Sequence, residues 1–63
     1  MTLAAQIDVM LDEMAVGHSA DYDLIATVLG LTHSDAIALV DAARERGMSE
    51  ETAVRHVLGQ GRP

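Results

Sequence analysis

Apolar residues recur at spacings of three and four in four separate stretches of this chain, which is the period of a helix packed on one side. Leu3, Ile7, Met10, Leu11 and Met14 share one such face, so a first helix is expected over about 3–16, with Thr2 able to cap its start. Gly17 is placed to stop it in a left-handed conformation. After the loop Gly17-His18-Ser19-Ala20, the face Leu24, Ile25, Val28 and Leu29 predicts a second helix over about 21–29. Ser19 or Asp21 can cap it, and Gly30 ends it. A third helix over about 33–46 follows the cap Thr32, with Asp35 where a carboxylate meets unpaired N–H groups. Leu31 and Ala36 are placed to form a small staple around that cap. Its expected inner stripe is Ala36, Leu39, Val40 and Ala43, with Ile37 at the margin, and Gly47 stops it. Met48 and Ser49 repeat the device, and Ala53, Val54, Val57 and Leu58 give a fourth helix over about 50–58, closed by Gly59.

No stretch alternates with period two, so no sheet is expected. The breaks are single glycines and caps rather than linkers. The expectation is therefore an all-α single domain over 1–59, a compact bundle of four short helices, with a flexible C-terminal tail over 60–63.

The first helix does not fit a simple one-sided pattern. Opposite its inner face lie Ala5, Val9 and Val16, with Asp8 and Asp12 beside them. A monomeric surface helix is usually polar there. These five residues are the candidate partner-binding set. Single exposed aliphatics are also ordinary on protein surfaces.

Composition sharpens this reading. The chain has 63 residues and is 49% apolar, and apart from Tyr22 that fraction is all Leu, Ile, Val, Met and Ala. A chain this short has little core to spare and leans on close helix packing or on self-association. It has no cysteine, which excludes disulfides and Cys₂His₂ zinc sites and fits a reducing compartment. No segment nears the ~20 apolar residues of a membrane span, and no basic leader is seen, so a cytoplasmic location without membrane contact is expected. Residues 1–31 hold five acids (Asp8, Asp12, Glu13, Asp21, Asp23) and no Lys or Arg. Residues 32–63 hold five acids and four Arg, so nearly all of the net charge of −6 sits in the first half. Arginine without lysine, among many Ala and Asp, gives the chain the bacterial or phage-like composition of a GC-rich coding sequence.

The stretch Ile25-Ala26-Thr27-Val28-Leu29-Gly30-Leu31-Thr32 is similar to the first helix and turn of helix-turn-helix domains. The outward positions of the following helix would be His33, Asp35, Ala38, Asp41 and Ala42, whereas base reading uses Arg, Lys, Asn or Gln. That chemistry and the acidic balance oppose direct DNA binding. The same region resembles the three-helix ubiquitin-associated domain. Leu29-Gly30-Leu31 sits where that family has a Met-Gly-Phe turn, Ala36, Leu39 and Val40 match core positions, and Val57-Leu58 match its terminal apolar pair. The chain departs from it in having no Phe after the glycine and a longer connection before the last helix. The resemblance implies a protein-binding module that uses the turn and the terminal pair.

Catalysis and metal binding find little support. His18, Asp21 and Asp23 could be imagined as ligands, but a loop histidine and two helix-start carboxylates account for them. His33 begins a helix and His56 reads as a solvated helix position. Ser19, Ser34, Ser49 and the threonines are mostly spent as caps, and Gly59 and Gly61 follow no strand and make no phosphate loop. A helical chain of this length has little room for a deep pocket. No enzyme activity and no cofactor are expected. The expected function is a small acidic interaction module that binds a protein with a basic surface, or a second copy of itself, through an aliphatic face with an acidic rim. The alternative is nucleic-acid regulation, either by a degenerate helix-turn-helix or by an acidic mobile-element-type inhibitor occupying a nucleic-acid-binding protein's basic site.

Overall fold

The computed structural model describes residues 2–60, which form four helices: α1 (Leu3–Ala15), α2 (Tyr22–Leu29), α3 (His33–Arg44) and α4 (Glu50–Gln60). Each start is capped by the side chain the sequence offers. Thr2 accepts from the Ala5 N–H at 3.1 Å, Asp21 from Leu24 at 3.1 Å, Thr32 from Asp35 at 3.1 Å and Ser49 from Thr52 at 3.2 Å. The glycine stops are equally local. At the end of α1, Gly17 turns left-handed (φ 102°), its N–H bonds to the Met14 carbonyl, and the His18 N–H reaches back to Glu13. That pair of bonds is the Schellman closure. Gly30 (φ 70°) ends α2, and the Leu31 N–H returns to the Ala26 carbonyl at 2.9 Å.

Two ends differ from the sequence expectation. α3 stops at Arg44 rather than Arg46, because the Arg46 and Gly47 N–H groups tighten onto Ala43 and Arg44, three residues back. α4 continues through Gly59 to Gln60, since Gly59 lacks the positive φ that would end it. The expected tail therefore begins inside α4, and its residues 61–63 lie outside the described ones.

The core joins Ile7, Met10, Leu11 and Met14 of α1, Ile25 and Ala26 of α2, Ala36, Val40 and Ala43 of α3, and Ala53, Val54, Val57 and Leu58 of α4. Ile25, Val40 and Val54 are its largest fully enclosed side chains. α2, α3 and α4 pack on one another, while α1 lies on α2 and α4 and does not approach α3. The radius of gyration, 10.7 Å, is that of a well-packed chain of this length.

Two residues assigned to the inner stripes face outward. Leu3 is 46% exposed because it lies one turn before the first buried residue of α1. Leu39 is 45% exposed because α3 has neighbours on only two sides, and its flank has no helix over it. Leu31 is likewise 37% exposed, so beside the fully buried Ala36 its apolar side chain is only partly covered. No single helix among the described residues is long and apolar enough to cross a membrane, and α2 and α3 reach that length together only across a 99° bend.

Candidate interaction faces

The helical period of α1 puts Ile7, Met10, Leu11 and Met14 inward, so the residues half a turn away must face out. Asp8, Val9, Asp12 and Val16 are exposed, and Ala5 is half-buried. Val9 keeps 43% of its surface and Val16, in the C-cap, 77%. Val9 does not stand on an open helix surface. It lines a shallow groove between α1 and the start of α2, with Gln6, Met10, Glu13, Ser19, Asp21 and Leu24. Of the expected set only Val9 lines that groove; Ala5, Asp8, Asp12 and Val16 lie outside it. The structure adds Glu13, one turn beyond Val9 on α1, and Asp21 and Leu24, whose approach depends on how α2 crosses α1 and leaves no mark in the α1 pattern.

The electrostatics of this face are one-signed. Glu13 and Asp21 line the groove with Val9, Asp8 and Asp12 are exposed on the same helix, and none of the four forms an ion pair among the described residues. The described cations lie elsewhere. Arg44 approaches Glu50 at 3.8 Å and Arg55 pairs with Glu51 at 3.0 Å. Asp23 is the acid of the first half whose carboxylate meets a side chain of another helix, Nδ1 of His33.

A second apolar surface was not singled out by periodicity. Leu29 and Leu31 at the α2–α3 turn, Leu39 of α3 and Val57 of α4 line one depression together with Gln60. It runs on along α3 through Asp35 and Ala38 on one side, and through Ala42, Arg46 and His56 on the other. His56 is thus half-buried at a groove margin rather than a fully solvated position. The outward positions expected for a reading helix, His33, Asp35, Ala38, Asp41 and Ala42, are all exposed.

The polar groups inside the bundle are occupied with holding it together. The Glu50 carboxylate accepts from the Ala20 N–H at 3.3 Å and from the Tyr22 hydroxyl at 3.2 Å, clasping the start of α4 to the start of α2. Burial raises the Tyr22 pKa above 10.0, and the neighbouring Glu50 charge and hydrogen bond push the same way. Tyr22 also meets the His33 ring edge-on, with centroids 6.3 Å apart. Among the described residues no three His, Asp or Glu side chains converge as metal ligands. Asp21 is spent capping α2 and Asp23 on His33, so His18, Asp21 and Asp23 do not form a set. Comparison with known family models, curated proteins and solved structures finds nothing that matches this chain.

Proposed function

We propose that this chain is a small non-enzymatic interaction module whose α1 face takes a basic protein surface. The observation that carries the reading is the groove at Val9, where an apolar floor of Val9, Met10 and Leu24 is rimmed by carboxylates with no cation among them. Such a rim steers a cationic partner and rejects an acidic one, while the floor gives the partner's apolar side chains somewhere to go. The resemblance to ubiquitin-associated domains supports the same class, a protein-binding module.

The test uses a fluorescent amphipathic helical peptide of Leu and Lys, compared with a Leu and Glu peptide of the same pattern. Anisotropy should report binding of the first alone, weakening as salt rises. Asp12→Asn with Glu13→Gln should weaken it, whereas Asp35→Asn with Asp41→Asn, equal in net charge, should not. Equal loss from both pairs would reduce the effect to net charge and sink the assignment to α1.

Nucleic-acid regulation is the second reading, and the α2–α3 corner favours it. The two helices meet at 99° across residues 30–32, within the range of helix-turn-helix units. The outward side of α3 carries no Lys, Arg, Asn or Gln at its first three turns, which works against base reading. A gel shift at low salt decides it. Retardation of duplex DNA with a steep salt slope would make α3 a reader. Its absence would leave the inhibitor version, in which the α1 face occupies a nucleic-acid-binding protein's basic site.

A further inference from the structure

We infer that the outer face of α3 is a self-association surface, on which a second copy of the chain packs with its own α3 antiparallel to the first. At 100° per residue, Asp35, Ala38, Leu39 and Ala42 fall within a sector of about 100°, the width of a helix stripe meant for burial, and Arg46 lies in the turn just past the end of α3. Leu39 stands at one edge of that stripe, about midway along it, 45% exposed, and Leu31 lies beside it at the turn. Among the described residues no helix lies over them, because α1 lies on α2 and α4 and leaves this flank of α3 open.

Charge selects the occupant. The depression along the stripe is bordered by Asp35 in the first turn of α3 and by Arg46 just past its end. Neither forms an ion pair among the described residues, and Arg46 is the one described arginine of which this is true. A two-fold axis near residues 40 and 41 sets Asp35 of each copy against Arg46 of the other and Leu39 between the small side chains Ala38 and Ala42. A parallel arrangement would oppose like charges instead, so the ends fix the direction. The same geometry keeps the acids of α1 away from the contact, since α1 does not approach α3. A basic or an acidic foreign helix would satisfy one end of the stripe and be repelled by the other. A second copy satisfies both.

The surface is small. A standard interface buries roughly 800 Å² per partner, about a fifth of the 4040 Å² that this molecule exposes. The dimer is therefore a weak one, filled at high concentration and emptied on dilution. The inference stands on the α3 face alone and is independent of what binds α1.

Sedimentation equilibrium of the full chain from roughly 10 μM to 1 mM covers the affinities such an interface gives. The expected result is a monomer–dimer equilibrium that Leu39→Glu weakens about tenfold or more, by burying an unpaired charge, and that Val9→Ser leaves unchanged. Asp35→Arg and Arg46→Asp should each weaken self-association. An equimolar mixture of the two should restore a dimer, which native mass spectrometry identifies as mixed by its mass. Circular dichroism establishes that each variant folds, and Leu39→Glu stands as the independent test if the Asp35 exchange disturbs the α3 cap. A wild-type chain still monomeric at the top of the range, a dimer indifferent to Leu39→Glu, a dimer lost on Val9→Ser, or charge variants that fail to complement would each overturn the inference.

Discussion

Glu50 and Glu51 are adjacent, of one type, and both in the first turn of α4, yet the structure gives them different work. Glu50 accepts two partly buried hydrogen bonds from across the bundle, from the Ala20 N–H and the Tyr22 hydroxyl. At 3.3 and 3.2 Å they are long for charge-assisted bonds, so each is set near the lower end, about 1 kcal/mol. The approach of Arg44 at 3.8 Å is half in solvent and adds at most about 0.5 kcal/mol. A first-turn carboxylate adds about 0.3 to 0.5 kcal/mol through the helix dipole. Glu50→Ala should therefore cost about 2 to 3 kcal/mol, against a whole-domain stability of roughly 3 to 9 kcal/mol for this length. In a domain of this size that lowers Tm by about 8 to 20 °C. Glu51 makes only the exposed pair with Arg55 one turn along its own helix, and Glu51→Ala should cost about 0.5 to 1 kcal/mol with its share of the dipole included. Urea and thermal unfolding followed by circular dichroism, at a concentration where the chain is monomeric, measures both. Glu50→Gln should fall between them, since the amide still accepts but carries no charge. Equal losses at the two positions, or a Glu50→Ala loss under about 0.5 kcal/mol, would show that the clasp adds nothing to the helix-start effect both share.

Two further outcomes follow from the structure. Tyr22 is the only side chain that titrates near pH 10, because the chain has no Lys and no Cys. Its pKa is raised in the fold, so the folded state holds the proton more tightly than the unfolded one, and stability present below pH 10.0 is lost as pH rises through the folded value. Tyrosinate absorbance should thus appear as helicity is lost in alkali, and Tyr22→Phe should flatten the pH dependence; an unaltered profile in that variant would assign the loss elsewhere. Gly30 sits at φ 70° with open space where a Cβ would go, so substitution there costs backbone strain and not a clash. Gly30→Ala should lose about 1 to 2 kcal/mol, Gly30→Val more, and Gly30→Asn least; an unchanged Tm for the valine variant would contradict the left-handed assignment.

What could be read from the sequence was what neighbouring residues decide among themselves. Thr2, Asp21, Thr32 and Ser49 cap because a hydroxyl or carboxylate stands three residues before an unpaired N–H, and Gly17, Gly30 and Gly47 stop helices because each takes a positive φ. The inner face of α4 was equally legible, since all four residues of its stripe are buried. Leu39 was not. Periodicity places it in the inner stripe, but does not say whether a third helix comes to cover that flank. Ala26 shows the converse, a residue too small to register as an anchor yet buried where α2 is crossed by its neighbours. The candidate α1 face was half legible for the same reason. Val9 and its acids follow from the period, whereas Asp21 and Leu24 join them only because of the way α2 lies across α1.

The arrangement in which α2, α3 and α4 pack in chain order while α1 must find α4 from the far end sets the order of assembly. Adjacent helices close short loops at little entropic cost, so the last three should form the folding nucleus within microseconds to milliseconds. α1 then docks as the late step. Truncating Ile7 to Val should chiefly speed unfolding, whereas Val40→Ala should slow folding. The helix that carries the acidic face is thus also the first to come away, and its amides should exchange with solvent before those of α3 and α4.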